Sequence, residues 1–508
     1  MASQQGFWDL EPDCFDCEGS QRSDGDGSEE HDSSDGVDAS AAAGDVVIQT
    51  TSESDMESLG DLAAGSLPPP AKRTRTTSKP GPRALPDGPK SVDDALRWPE
   101  LFKRATSDTE LGHAAPLWQR FAHIVSQVGV ETTSDFSGSG QFETARGMLE
   151  RAMKEDVDFK ETANKGFVTR RSGDLSKWCR TVLMHNKHTK QGCINGDMTC
   201  RMKDYFKLSV RDVMEKYKTL RAEDSSKQAA DKMNESLKAD LLKSLRSAKD
   251  KYDEFGSPAV RAWCATCDSN SCRVCGGQQP GEAAQGPNAT CRLRMHCAGA
   301  PCTHVSQRGS QDGLAGDTTP ALMQWLFERL IEEEDLIIGE CTRMFKPDIV
   351  FEALGEDKYH CMHHVFSPSS LGIPAGRYRI YFVALKRSSV RWTSARDLEC
   401  LLKEMLYRKC VFPGSDFLRA PQQIVDQHLA GIARSKGLDS SGLQYKHVVS
   451  AGLRKRMKMF VKLAKEKHGY PPIPDRCCDL MQYPQRSQLS KSLPALTQRS
   501  RLLNCVSK

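Results

Sequence analysis

Three groups of residues in this chain suit covalent chemistry or the holding of a small charged ligand. The first is Gly299-Ala300-Pro301-Cys302-Thr303-His304, where a cysteine follows a proline at the end of a short apolar-leaning run. A cysteine acts as a nucleophile or metal ligand through its thiolate. The second is a pair of strand-like runs. Leu336-Ile337-Ile338-Gly339-Glu340 ends on a carboxylate, and Arg377-Tyr378-Arg379 leads into Ile380-Tyr381-Phe382-Val383-Ala384-Leu385. The third is Asp135-Phe136-Ser137-Gly138-Ser139-Gly140, with a helix-like run after it through Met148 and Leu149. Glycines here let the backbone turn tightly and let a ligand come close. Strand, glycine turn and helix form the nucleotide-binding entry of a doubly wound sheet. Two acids extend this pattern: Phe167-Val168-Thr169 leads to Asp174, and Cys193-Ile194-Asn195-Gly196 leads to Asp197. Acids at the ends of successive strands are the acceptors that a ribose and an adenine amino group need. Either acid alone reads as a solvated loop residue; in this order they favour a nucleotide-type cofactor.

A fourth group has metal-ligand spacing. Cys264-Ala265-Thr266-Cys267 and Cys272-Arg273-Val274-Cys275 offer four thiolates, a common structural-zinc arrangement. Their four-residue separation is short for one site, with Cys291, His296 and Cys297 as further donors and reduced surface thiols as the alternative.

The order of the first three groups resembles the DNA (cytosine-5)-methyltransferases over roughly residues 130–200 and 288–385. The resemblance implies an α/β fold: a doubly wound, Rossmann-like, S-adenosylmethionine-dependent methyltransferase sheet. It implies Cys302 as a nucleophile that adds to carbon 6 of cytosine, with Pro301 before it and Ser306-x-x-Gly309 after it. Glu340 then hydrogen-bonds ring nitrogen 3, which requires burial to keep its carboxyl protonated. Arg379 contacts the base carbonyl, and Arg377 supports the nucleophile loop. Phe136, Gly138 and Gly140 line the methionine end of S-adenosylmethionine, Asp174 takes the ribose, Asp197 the adenine, and Pro301 borders the same pocket. The partner implied is double-stranded DNA with its target cytosine flipped out of the helix.

Three departures stand beside the resemblance. The family's Glu-Asn-Val is Glu340-Cys341-Thr342, and the Gln expected before Arg-x-Arg is Ala375. The family's last Gly-Asn-x-Val motif has no match after Ser492-Leu493-Pro494, so the chain reads as truncated before the final motifs or as an incomplete enzyme. Two other functions compete. A tRNA cytosine-5 methyltransferase would carry a Cys-Phe-Thr motif, which is not found. A catalytically inactive, zinc-containing DNA- or chromatin-binding protein fits the missing motif but not the intact Pro301-Cys302 and Glu340.

The elements that must position these residues follow from pattern and composition. The chain has 508 residues and a net charge of +4. Residues 1–92, acidic to Asp61 and then basic and Pro-rich from Pro68 to Arg83, cannot bury enough surface to offset chain entropy and are expected to be disordered. The basic cluster around Lys72-Arg73 suits a nuclear-import receptor, which gives nuclear localisation; a solubilising linker is the plainer alternative. Residues 93–202 read as the cofactor-binding half and 289–386 as the catalytic half. Between them, 203–288 reads as a charged helical and Cys-rich insertion on a surface loop. Residues 387–508 read as a mostly helical, target-recognition-like region. There Leu453, Met457, Phe460, Val461 and Ala464 form an apolar stripe interleaved with Arg454, Lys455, Arg456, Lys458, Lys462, Lys465 and Lys467. No secretory signal is evident at Met1-Ala2-Ser3, and no apolar run approaches the roughly 20 residues of a membrane helix, so no membrane partner is expected. The 19 cysteines therefore point to thiols, a nucleophile or metal ligands rather than a disulfide framework.

Overall fold

The computed structural model describes residues 85–107, 117–155, 165–189, 192–223, 227–255, 264–266, 292–301, 304–305, 312–394, 396–418, 422–439, 450–468, 477–479, 493–494 and 502–504. Residues 1–84 of the expected disordered head and basic linker lie outside them; residues 85–92 do not fit that expectation, since Asp87 bridges to Lys409, the Gly88 amide donates to the Lys409 carbonyl at 2.8 Å and Ser91 caps the first helix. The described residues divide into two compact units. One is represented only by Ala430–Asp439, the end of a helix and the turn after it. The other unit holds the sheet and every other described residue.

Seven strands form its sheet: β1 (Val130–Asp135), β2 (Phe167–Gly173), β3 (Cys193–Asn195), β4 (Leu293–Gly299), β5 (Leu336–Thr342), β6 (Tyr359–Phe366) and β7 (Arg379–Lys386). Their order is β3-β2-β1-β4-β5-β7-β6. The first five run parallel; β7 enters antiparallel between β5 and β6. This is the doubly wound, Rossmann-like sheet that the sequence predicts. Strand order reverses between β1 and β4, and such a switch point opens a crevice at the carboxyl ends of the strands.

Helices cover both faces. α1 (Val92–Leu96), α2 (Trp98–Thr106) and α3 (Leu117–His123) precede β1. Trp118 and Phe102 join Val125, Val130 and Met153 in a small core there. α4 (Gln141–Lys154) follows the glycine turn, and α5 (Lys177–His185) follows Asp174. α6 (Asp204–Glu223) and α7 (Lys227–Phe255) form a hairpin. α8 (Thr319–Glu332) and α9 (Asp348–Leu354) lie beside it.

The hairpin differs from the surface insertion expected over 203–288. Phe206, Val210, Met214 and Tyr217 recur at helical spacing on α6, as do Leu237, Leu241, Leu245 and Ala248 on α7. These stripes share one apolar core with Leu322, Met323, Leu326 and Phe327 of α8. Phe206 meets Phe327 at a ring separation of 5.2 Å, and Tyr252 meets it edge-on at 6.0 Å. A helix pair with such buried stripes is stabilised by packing rather than by intrinsic propensity.

Past β7, α10 (Leu398–Met405), α11 (Gln422–Ser435) and α12 (Ala451–His468) give the helical region expected there. Phe460 of the α12 stripe is buried, while Val461 remains 39% exposed. Leu493–Pro494 pairs in parallel with Ala375–Gly376, directly before the two arginines. Among the described residues, no helix is long and apolar enough to cross a membrane.

Candidate active site

The glycine turn is built on unusual backbone angles. Phe136 adopts φ 53°, which costs energy for a side chain of this size, and Gly138 and Gly140 adopt 57° and 77°. Gly140 caps the start of α4 in the left-handed region. A methyl group there would sit 2.9 Å from Leu183 and 3.0 Å from Asn186. Gly138 faces open space instead, so the turn offers a bare stretch of backbone to a ligand. The turn is tied to its neighbours by Ser137, which donates its amide to the Gly173 carbonyl at 2.9 Å and accepts the Gly173 amide on Oγ at 3.2 Å.

Asp174 stands beside this turn. Its Oδ2 accepts the Gly138 amide at 2.8 Å, and its Oδ1 accepts the Ser176 amide at 2.8 Å, fixing the carboxylate between the turn and the start of α5. The Arg180 guanidinium braces the loop by donating to the Asp174 carbonyl at 3.0 Å and the Leu175 carbonyl at 2.5 Å. Asp197 caps the following turn through Oδ1, which accepts from the Thr199 amide and hydroxyl, both at 2.8 Å. Each acid retains lone pairs for a ligand. The glycine turn, Asp174 and Asp197 follow the carboxyl ends of β1, β2 and β3, the edge at which such sheets take ligands.

The second half of the site comes from β4, β5 and β7. Glu340 pairs in register with Gly299 on one side and Tyr381 on the other. Its Oε1 forms an ion pair with Arg379 Nε at 2.9 Å and accepts from Arg377 Nη2 at 3.5 Å. Ser367, absent from the sequence reading, orients Arg377: its Oγ accepts the Arg377 amide at 3.0 Å while donating to the Ala375 carbonyl at 2.9 Å. No motif signals this serine; its role follows from the loop folding back on itself. The expected sealing of Glu340 is corrected by the structure: its side chain keeps 30% exposure, because the strand end opens to the crevice.

Gly299 joins the two halves. A methyl group on it would lie 3.1 Å from the Phe136 carbonyl and 3.9 Å from Glu340 Oε2. The cofactor-type turn and the acid therefore meet across β4, and the chain proceeds at once through Ala300 to Pro301. Pro301 borders a small crevice with His304, Leu314, Leu322 and Phe345. Cys302 itself lies outside the described residues.

Between the turn and Glu340, Cys297 occupies β4. Burial pushes its thiol up to about 12, with the charges of Glu143 and Glu340 adding to the effect. It is thus a neutral thiol, unsuited to act as the nucleophile.

Of the proposed zinc ligands, only Cys264 is described. It is fully buried, packs with Cys193, and bridges to Asn195 at the end of β3. Cys267, Cys272 and Cys275 lie outside the described residues. Among the described residues, no group of three or more His, Cys, Asp or Glu could hold a metal ion, so zinc gains no support there.

No family model matches the chain, and neither does any curated protein. Partial overlaps with solved structures occur. A DNA modification methyltransferase encoded within a prophage of E. coli overlaps at 11% identity, covering 51% of this chain and 47% of that one, with a TM-score of 0.23. The S. pombe Dnmt2 methyltransferase overlaps at 10% identity, covering 52% and 51%, with a TM-score of 0.24. A Spodoptera frugiperda DNMT2 mutant overlaps at 12% identity, covering 63% and 82%, with a TM-score of 0.26. The chain thus spans about half the length of the first two. The fold described above stands on its own strand order and register.

Proposed function

We propose that this chain binds S-adenosylmethionine and methylates carbon 5 of cytosine in double-stranded DNA through a covalent adduct on Cys302. The observation carrying this reading is the convergence at Gly299, where the Phe136 carbonyl of the glycine turn and the Glu340 carboxylate come together one residue before Ala300-Pro301-Cys302. A methyl donor and an acid beside a cysteine loop are the parts this chemistry needs.

When bound, the cofactor supplies an electrophilic methyl on a sulfonium. The Cys302 thiolate adds to carbon 6 of the base, its lone pair forming the S–C bond while the 5,6 double-bond pair moves to carbon 5. Glu340 must take up a proton to donate a hydrogen bond to ring nitrogen 3 during this addition, and Arg377 and Arg379 hold its carboxyl in place. Phe136, Gly138, Gly140, Asp174 and Asp197 would hold the cofactor so that carbon 5 could take its methyl. Loss of the carbon 5 proton to a water molecule then restores the double bond and expels the thiolate. Lys455, Lys458 and Lys462, exposed on α12, are the cations we assign to DNA phosphates.

DNA containing 5-fluorocytosine tests the reading, because fluorine cannot leave as a proton does. The adduct is expected to survive denaturing electrophoresis. Cys302→Ser should abolish trapping and methyl transfer, and Glu340→Gln should slow transfer roughly 10²–10⁴-fold. Trapping that persists without the thiol refutes the nucleophile; trapping on RNA alone refutes DNA as the substrate.

A further inference from the structure

Glu143, in the first turn of α4, is a carboxylate that neither the sequence reading nor the proposed chemistry uses. It is 1% exposed. Its Oε1 accepts hydroxyl protons from Ser134 at 2.5 Å and Ser172 at 2.7 Å, which anchors it beneath the ends of β1 and β2. Its Oε2 is equally buried and has no hydrogen-bond partner. That oxygen lies 3.5 Å from where a side chain would start on Gly140, so it sits directly under the glycine turn. The Arg146 guanidinium feels the Glu143 charge but makes its hydrogen bonds elsewhere. Arg146 directs its hydrogen bonds to Thr132 and Thr169 at 2.6 Å each and to the His188 carbonyl at 2.9 Å. The amino end of α4 offers partial positive charge, which favours an anion but does not neutralise it.

A buried carboxylate lacking a full counter-charge is costly, and a cation arriving nearby removes part of that cost. We infer that Glu143 is the fixed counter-charge for the cationic methionine end of the cofactor, and that it makes the pocket prefer the sulfonium over its neutral, demethylated thioether. This inference rests on the S-adenosylmethionine reading above. Its field reaches the neighbouring strand, since Glu143 and Glu340, after burial, hold the Cys297 thiol in its neutral form. Such a preference has a functional consequence. Methyl transfer erases the sulfur charge, so the pocket's hold weakens once the reaction is complete, and product leaves more readily than cofactor.

Calorimetric titration of the full chain with three ligands tests this: S-adenosylmethionine, its demethylated thioether, and an analogue carrying an amine in place of the sulfonium. The native chain should bind both cationic ligands about tenfold more tightly than the thioether, a difference of about 1.4 kcal/mol. Glu143→Gln keeps an acceptor for the two serines and removes the charge; its ratio should fall to near one while thioether affinity changes less than about twofold. Glu143→Asp retains the charge and should retain a reduced preference, which a merely structural role would not predict. A native ratio of one overturns the inference without any variant, and so does a ratio unchanged by Glu143→Gln. Absence of binding by all three ligands overturns the cofactor reading and this inference with it, an outcome distinct from binding without discrimination.

Discussion

Strands β1, β2 and β4 bury Thr132, Ser134, Asp135, Thr169, Ser172 and His296, whereas β5 and β7 bury Ile337, Cys341, Ile380, Phe382 and Ala384. Both sets belong to one sheet, yet their interiors are built differently. Parallel strands covered on both faces ordinarily read as Val, Ile and Leu runs. The second set comes near that rule and the first does not. Under the first set lies an ionic network. Asp135 receives Arg171 at 3.1 Å and Arg201 at 3.2 Å, and Arg329 stands 3.6 Å away. Glu328 holds Arg201 at 2.9 Å, and Glu334 holds Arg329 at 3.3 Å. α8 touches both interiors through Trp325, which donates Nε1–H to His296 at 2.8 Å and meets Phe382 edge-on at 6.3 Å. Hydrogen bonds and ion pairs have direction, whereas apolar packing has little. The directional half includes β1 and β2, the strands that lead into the glycine turn and Asp174, where loop positions matter most.

The largest expected effect tests that contrast directly. Arg329 is fully buried. Arg329→Met fills similar space but leaves Asp135 and Glu334 short of a cation. Breaking a buried pair on one side costs about 3–5 kcal/mol. Phe382→Leu, equally buried in the apolar half, removes volume without stranding a charge and should cost about 1–3 kcal/mol. Urea unfolding of both variants measures the difference. If Phe382→Leu proves the more damaging, the network carries little of the fold's stability and the comparison fails.

Acid unfolding gives the next effect. Burial by itself would raise the Asp135 carboxyl, but Arg171, Arg201, His296 and Arg329 together hold it well below the ordinary aspartate range. An acid depressed in the folded state contributes stability that is present above its unfolded pKa of about 3.9 and is lost as pH falls toward its folded value. The loss should approach about 1.4 kcal/mol per pH unit below about pH 4. Glu334 has the opposite sign. Burial lifts it to about 7 against the pull of Arg329, so its contribution is greatest below about pH 4.3 and fades as pH rises through 7. Asp135→Asn should flatten the acid limb, and Glu334→Gln the neutral one, in stability measured against pH. A profile unchanged by Asp135→Asn would remove Asp135 from the account.

These halves were not equally legible in the sequence. Leu336-Ile337-Ile338 and Ile380 to Leu385 read as strands because their apolar runs are short and continuous, and both match β5 and β7. The glycine turn and Asp174 were legible because strand, turn and helix leave a local pattern, and Gly138 and Asp174 do meet. The network was not. In the sequence Asp135 reads only as the residue opening the glycine turn, and Arg171 and Arg201 carry no signal, because charged residues ordinarily face water and their partners lie far away in the chain. Glu143 and Ser367 act through tertiary contacts with no spacing to announce them. The α6–α7 hairpin was legible as helix but read as an outlying insertion, since its many charges masked the stripe that packs on α8.

The smallest expected effect compares two substitutions that barely change volume. Met323→Leu on α8 exchanges one buried apolar side chain for another of similar size. It should cost less than about 1.5 kcal/mol, because the surrounding Leu and Phe side chains can shift slightly and leave nothing unpaired. Thr132→Val on β1 keeps the side-chain shape and removes one hydroxyl. That hydroxyl accepts from Arg146 Nη1 at 2.6 Å and donates to the Val168 carbonyl at 3.2 Å. Removing it loses one of the two threonine acceptors of a buried guanidinium and one donor to a strand carbonyl, a loss of about 1–3 kcal/mol. The thermal midpoint of Thr132→Val should therefore fall below that of Met323→Leu. A small shift for both would mean that Arg146 relaxes onto Thr169 and the His188 carbonyl, and that the polar interior is more adaptable than its fixed directions suggest.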